Sequence, residues 1–279
     1  METHFVGWVA RYRHRYERPG GFRRDAFLKD LFSSRYVLSD LGLGDSDVRA
    51  LMESEHIVDA ASAVRELFAR YAARYGKTRY GNRTVTHVLS LPWIATLLPE
   101  ARFIHMIRDG RDVALALVQA QFGPKTAVDA ALRWKRLVSR GRAGGVHLGP
   151  LRYREVRYEE LIRDPEEVVR SVCDFIDLDF ELGMLAYYKK LEDVGGIDFT
   201  NPDFRDLRRP PTRGLTDWRT TMDPEDLLVF ETVAGETLAR FGYELSGSRW
   251  PPSARLRARA KLGMARANHI LRAVHRRLR

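Results

Sequence analysis

The chain of 279 residues is long enough for a single α/β core, and 47 Lys and Arg against 37 Asp and Glu give it a formal net charge of +10. Nine basic residues and no acidic ones lie within 253–279, so 38 basic residues nearly balance the acids in the remainder. This distribution argues against a nucleic-acid-binding body, the single Cys173 excludes an internal disulfide, and no apolar run approaches the ~20 residues of a membrane-spanning helix.

The first hundred residues combine an irregular stretch at 8–42, which contains a clear loop at Pro19-Gly20-Gly21, with several predicted helices. Between 58 and 75, apolar side chains recur at helical spacing, with Val64, Leu67 and Phe68 on one face. Pro92 is expected near a turn boundary or kink, because proline lacks the N–H that a helix interior needs. The other helices in this part are predicted at 22–32, 47–54 and 86–98.

A strand, a tight turn and a helix are predicted in the middle of the chain. The apolar run 103–107 is typical of a buried strand, Gly110 lies in the turn, and apolar residues at helical spacing resume at 112–118. This arrangement is half of a βαβ unit, so we expect an α/β fold with a central parallel sheet flanked by helices.

The turn carries the charged sequence RDGRD, which begins at Arg108. Arg108 follows the predicted strand at its carboxyl end, the edge at which such sheets bind ligands, and its planar set of donors suits a phosphate. Alternatively, Arg108 and Arg111 pair with Asp109 and Asp112 on a solvated turn. The residues alone leave both interpretations open.

The second half of the chain repeats the alternation of helix and strand. A strand is predicted at 151–157, and Pro165 is expected at the first position of the following helix, where its missing N–H costs nothing. A long loop is predicted over 195–214, and such loops in compact domains are usually functional or mobile. The remaining predictions are helices at 126–140, 165–176, 183–190 and 225–241, and a loop at 141–150.

Four segments, in this order, resemble the sulfotransferases that use 3′-phosphoadenosine 5′-phosphosulfate (PAPS), in particular the bacterial and Golgi tyrosylprotein branches. The resemblance spans most of residues 1–245, and the order of the segments is more specific than any one of them. It implies the sulfotransferase fold, which is similar to that of P-loop nucleotide hydrolases. The segments are Tyr80–Val85 (YGNRTV), Arg108–Asp112 (RDGRD), Val156–Leu161 (VRYEEL, followed by Asp164-Pro165), and Gly214–Trp218 with the helix that leads to Tyr243.

The resemblance implies a set of cofactor-binding residues. Arg108 matches the family's 3′-phosphate ligand, and Ala116 stands where the family has a serine that donates a further hydrogen bond. Tyr158 matches a tyrosine near the adenosine, although a half-buried structural tyrosine is the alternative. Arg208 and Arg209 are placed like a basic residue that closes over the cofactor, with a solvated charge cluster as the alternative.

The resemblance also implies catalytic candidates. Glu2 matches the acid of the Golgi enzymes and is the first candidate for the base that deprotonates the acceptor, or else it is a disordered terminal residue. His87 and His4 are further candidates, with a structural role as the alternative. Arg83 replaces the family lysine that contacts the transferring group, or it is an exposed partner of a nearby acid. The family requires no metal, so PAPS is the only expected co-substrate.

One family segment has no match in this sequence. In the family, a strand, a glycine-rich loop that binds the 5′-phosphosulfate and a helix precede the segment similar to residues 2–5. We therefore expect that the first βα unit is missing and that the chain is a poor catalyst. The expected activity is transfer of a sulfuryl group from PAPS to a hydroxyl or amine of an acceptor. The alternative is a truncated or non-catalytic domain that binds the 3′-phosphoadenosine nucleotide.

Residues 250–279 are predicted to form a basic tail behind a sulfotransferase-like domain at 1–249. Apolar residues such as Leu256 and Leu262 alternate there with arginines, which predicts a basic amphipathic helix. Such a helix favours an anionic membrane surface, or else packs its apolar stripe on the body. Because no signal-peptide pattern is present at the start of the sequence, we expect a cytoplasmic protein, peripheral to the membrane through this tail.

Overall fold

The computed structural model describes residues 4–33, 41–120, 123–189, 208, 210 and 217–277. The chain divides into two compact units. The first unit contains Met1–Phe103, Arg140–Arg154 and Glu192–Asp198, and the second contains Ile104–Ser139, Glu155–Leu191 and Phe199–Arg279. None of the described helices combines the length and apolar content needed to cross a bilayer.

The first unit is mostly helical, and its first helix, Phe5–Arg11, extends into the stretch 8–42 whose sequence pattern was irregular. The predicted helix at 58–75 is confirmed as Ala60–Ala73, and it begins where the Asp59 carboxylate accepts a hydrogen bond from the Ser62 N–H at 2.7 Å. Its Val64 and Leu67 are fully buried in the core of this unit. The elements before strand β3 are α1 Phe5–Arg11, β1 Glu17–Arg18, β2 Gly21–Phe22, α2 Arg24–Ser33, α3 Asp45–Met52, α4 Ala60–Ala73 and α5 Leu91–Leu97, with 3₁₀ helices at Arg13–Arg15 and Val85–Leu89.

The α/β class with a parallel sheet is confirmed. Strands β3 (Phe103–Ile107) and β4 (Tyr153–Arg157) are neighbours in a two-stranded sheet, and the Phe103 N–H donates to the Arg152 carbonyl at 2.8 Å. The predicted absence of a first βα unit stays a prediction. The remaining elements are β3 Phe103–Ile107, α6 Gly110–Gln119, α7 Ala127–Val146, β4 Tyr153–Arg157, α8 Tyr158–Arg163, α9 Pro165–Phe175, α10 Trp218–Thr221, α11 Pro224–Arg240 and α12 Pro252–Arg277, with a 3₁₀ helix at Leu182–Lys189.

The predicted loop at 141–150 is wrong in its first half, because α7 continues to Val146 through three glycines, of which Gly144 and Gly145 are closely packed. A Cβ on Gly145 would overlap the ring of Tyr153, and a Cβ on Gly144 would lie 3.2 Å from Pro92 Cδ. These glycines therefore let the helix approach its neighbours closely. The sequence shows them only as helix-weakening residues, which is why the loop was predicted.

Two further predictions change in detail. The predicted helix at 86–98 is divided at Ser90 into a 3₁₀ helix and α5, and Pro92 lies in the first turn of α5, at the predicted boundary. The predicted helix at 183–190 is a 3₁₀ helix. The predicted loop at 195–214 lies outside the described residues, except for Arg208 and Pro210.

An aromatic cluster forms the core of the second unit behind the turn that joins β3 to α6. The Trp134 ring lies 6.0 Å from Phe230, 6.2 Å from Phe241 and 6.5 Å from Tyr243, measured between centroids. A Cβ on Gly110 would lie 2.5 Å from the Trp134 ring and 2.7 Å from that of Phe230. Gly110 therefore permits the close approach of α6 to α7 and α11, and this contact positions the turn.

Candidate functional site

Arg108 and Tyr158 lie side by side at the carboxyl ends of the two parallel strands. Arg108 follows β3, and Tyr158 begins α8 directly after β4. The Arg108 guanidinium lies over the Tyr158 ring, 4.7 Å from its centroid, and its side chain remains 26% exposed. The Trp134 Nε1–H donates to the Arg108 carbonyl at 3.1 Å, which holds the backbone of the turn. The sequence-predicted pair therefore forms a partly exposed site with one cation and one aromatic face.

Arg111, the second arginine of RDGRD, is fully buried. Its guanidinium donates to Asp109 at 2.8 Å and to Glu231 at 2.8 Å, and to the Glu244 carbonyl at 2.7 Å. It also lies over the Trp218 ring, 3.6 Å from the centroid. We call Asp109, Arg111, Trp218 and Glu231 the Arg111 cluster.

The Arg111 cluster corrects one of the two interpretations of RDGRD. Arg111 and Asp109 do pair, but in the interior and not on a solvated turn, since their side chains are 0% and 8% exposed. Arg108 lies only 3.9 Å from Asp112 through Nη2 and keeps exposed surface. The motif thus places Arg111 in the interior and leaves the Arg108 side chain partly exposed.

Glu159 joins the predicted VRYEEL segment to the turn. It accepts from the Asp109 N–H at 2.8 Å through Oε1 and from the Tyr243 hydroxyl at 3.1 Å through Oε2. Burial, followed by the nearby Glu159 carboxylate, holds the pKa of Tyr243 well above its usual range. Tyr243 therefore stays protonated and acts as a hydrogen-bond donor.

Asp112 lies between Arg108 and the α10 segment. Its Oδ1 accepts from the Trp218 N–H at 2.8 Å. Burial raises the pKa of the Asp112 carboxyl above its ordinary value, against the opposing effects of that hydrogen bond and of Arg108. Three of the four segments noted in the sequence, RDGRD, VRYEEL and the region from Trp218 to Tyr243, therefore meet around one turn of the second unit.

The sequence did not point to Glu231 or Glu244, and it gave no individual role to Glu159 or Trp218, although both lie in segments that it singled out. Arg111 and Glu231 are 120 positions apart in the chain, so no local pattern connects them. Only the two aspartates of RDGRD hinted that one arginine is internally neutralised.

The amino end of α6 is already capped. The Asp109 carboxylate accepts from the Arg111 N–H at 2.9 Å, so this backbone donor is used within the chain. Ala116 is exposed two turns further along α6, and it has no side-chain donor. Arg108 therefore offers an anion a partly exposed guanidinium at this turn.

The other candidates lie elsewhere or beyond the described residues. In the first unit, Arg83 is exposed, His87 is half-buried in a 3₁₀ helix, and His4 Nδ1 lies 2.9 Å from the Thr86 hydroxyl. Arg208 is exposed. Glu2 and Arg209 lie outside the described residues.

A family model described as "Sulfotransferase family" matches residues 5–181. The chain is 28% identical over 200 residues to a putative protein-tyrosine sulfotransferase of Caenorhabditis elegans, covering 68% of this chain and 75% of that protein. It is 26% identical over 197 residues to the corresponding protein of Caenorhabditis briggsae, covering 67% and 69%. Its fold is similar to the sulfotransferase domain from the curacin biosynthetic pathway, with a TM-score of 0.56 at 18% identity over 75% of this chain and 77% of the other.

Proposed function

Because the chain belongs to the sulfotransferase family and so transfers a sulfuryl group, we propose that its donor is PAPS and that Arg108 and Tyr158 bind the 3′-phosphoadenosine part. The stacked Arg108–Tyr158 pair at the carboxyl ends of β3 and β4 is the observation that supports this proposal. A partly exposed guanidinium suits a phosphate, and an aromatic face suits a nucleobase or its ribose.

The residues around this pair fit such a ligand. Burial, then the nearby Tyr158, raises the pKa of Tyr187, so a second neutral aromatic side chain lies close to Tyr158. The Asp112 carboxylate lies 3.9 Å from Arg108 Nη2, which is at the limit of an ion pair, and a phosphate would bind the same guanidinium. Ala116 supplies no hydroxyl, so Arg108 carries the greater part of the proposed phosphate contact.

We assign the reacting end to residues outside this pair. PAPS supplies the sulfuryl group, Arg83 is the proposed cation for the transferring group, and Glu2 is the proposed base, with His87 and His4 as further candidates. Arg208 and Arg209 are proposed to close over the nucleotide.

The proposed acceptor is a hydroxyl or amine. The two nematode relatives are named as protein-tyrosine sulfotransferases, so a tyrosine peptide is the first acceptor to test. The assay follows labelled sulfate from PAPS into a panel that also contains aliphatic hydroxyls and amines.

Calorimetry with adenosine 3′,5′-bisphosphate tests the nucleotide site. Arg108→Ala should weaken binding by roughly 1.5–3 kcal/mol, the range for hydrogen bonds to charged groups, and Ala116→Ser should strengthen it by about 0.5–1.5 kcal/mol. Arg170→Ala is the matched control, because Arg170 is an exposed arginine on α9 that pairs with Glu166. Unchanged affinity in a folded Arg108→Ala variant would contradict the assignment.

A further inference from the structure

Helix α12 packs on the second unit with one face. Ala258 is 2% exposed, and it joins Val128, Leu228 and Val229 in a buried cluster. Ala254, Leu262 and Ala265 pack against the same cluster. The apolar stripe predicted for the tail is therefore partly used by the body, as one of the two sequence interpretations expected.

The opposite face of α12 carries a second apolar stripe. Leu256 is 69% exposed and Met264 is 61% exposed, and Ala260 and Ala267 are also exposed. At about 100° per residue, these four positions fall within roughly 80° of one another and point away from the face of Ala258. We call Leu256, Ala260, Met264 and Ala267 the outer stripe.

Positive charge borders the outer stripe on both sides. By the same helical spacing, Arg257 and Arg259 lie on either side of it, and both are exposed. Residues 253–279 contain nine Lys and Arg and no acid. An exposed apolar stripe between arginines is the pattern of helices that lie in the plane of a membrane surface, where arginine stems cover apolar area and their heads reach phosphates.

We propose that the outer stripe binds an anionic lipid surface, with α12 lying in the interface and its inner face kept on the body. The charges and the apolar stripe favour a lipid surface over a second copy of this chain and over a nucleic acid. A second copy would bring two acid-free arginine helices together, with like charges on both sides of the contact. A nucleic acid would contact the arginines, but it would leave Leu256 and Met264 in water.

Vesicle sedimentation with the full chain tests the proposal. The protein should bind vesicles that contain phosphatidylglycerol and should not bind vesicles of phosphatidylcholine alone. The double change Leu256→Gln and Met264→Gln should lower the partition coefficient by at least about tenfold, since two apolar side chains no longer enter the interface. Changing Arg257 and Arg259 to Gln should lower it by about tenfold or more at low salt.

A matched control changes equally exposed apolar residues elsewhere. Leu151 and Leu182 are 82% and 71% exposed, and their change to Gln should leave vesicle binding intact. Thermal melting and sulfate transfer in solution should be unchanged in all variants, because none of these side chains packs in the core or lies in the proposed site.

Three results would overturn the proposal. The first is equal binding to both kinds of vesicle, or to neither. The second is full binding by the Leu256 and Met264 double variant. The third is evidence that the outer stripe binds another partner. In that case the protein would form a dimer in sedimentation velocity or would retain DNA, and the double variant would lose this property but still bind vesicles.

Discussion

Arg111 shows at the scale of one residue how a charge becomes structural. Its buried guanidinium pairs with both Asp109 and Glu231 and also donates to the Glu244 carbonyl. Removing one partner of a buried ion pair typically lowers the free energy of unfolding by about 3–5 kcal/mol, because an uncompensated charge stays in the interior. Arg111→Met should therefore lower the free energy of unfolding by about that amount, as measured by urea denaturation.

Arg70→Met is the control for this prediction. Arg70 and Glu66 form an exposed pair on α4, and their side chains are 63% and 36% exposed, so the loss should be about 0–1 kcal/mol. Similar losses in the two variants would contradict the structural role of Arg111.

At the scale of an element, Gly110 sets how closely α6 approaches α7 and α11. The methyl group of Gly110→Ala would meet the Trp134 and Phe230 rings, both of which are buried. Overpacking of this kind costs typically about 1–3 kcal/mol, which exceeds the gain of up to ~1 kcal/mol from alanine's helix propensity. We expect a lower melting temperature and weaker binding of adenosine 3′,5′-bisphosphate, because the turn that carries Arg108 must move.

Gly263→Ala provides the comparison with the opposite sign. Gly263 is exposed in α12, and a Cβ there would meet nothing within 4 Å. The same substitution should therefore stabilise the protein by roughly 0.5–1 kcal/mol. If both glycine variants shift the melting temperature in the same direction, the proposed close approach at Gly110 is incorrect.

At the scale of the whole molecule, segments beyond residue 181 complete the turn that carries the proposed nucleotide site. The family model ends at residue 181, yet Trp218, Glu231 and the Glu244 carbonyl, all later in the chain, contact Arg111. Residues after the matched region therefore stabilise a turn that lies within it, at 108–112.

Helix α12 adds to that support, and its removal should be costly. A chain that ends at Trp250 exposes Leu228 and Val229, which are 5% and 1% exposed in the intact protein. We expect the free energy of unfolding to fall by roughly 2–4 kcal/mol, since apolar surface on both sides of the contact returns to water. A chain that ends at Ala267 keeps the described inner face of α12 and should retain its melting temperature. Equal stability of the two shortened chains would show that the inner face contributes nothing.

Local sequence patterns predicted most of the individual elements. Strand β3 has the predicted bounds 103–107, and the ends of α4, α9 and α11 lie within two residues of the predicted ends. Periodicity and capping residues act within a few positions, so they can be read from the chain directly. The sequence also placed Arg108 at the carboxyl end of a strand, and the resemblance named Tyr158, but their contact is visible only in the structure.

Sequence alone therefore determined the α/β class, the family and the location of the RDGRD turn. Only the tertiary structure decided which arginine of that turn is buried, because Glu231 and Glu244 reach Arg111 from more than a hundred positions away. It also decided that α7 runs through Gly144 and Gly145, where close neighbours outweigh poor helix propensity. The tertiary structure also decided which face of α12 is buried, because both of its apolar stripes look similar in the sequence and only one packs on the body. These outcomes depend on contacts between distant parts of the chain, and local sequence patterns do not predict such contacts.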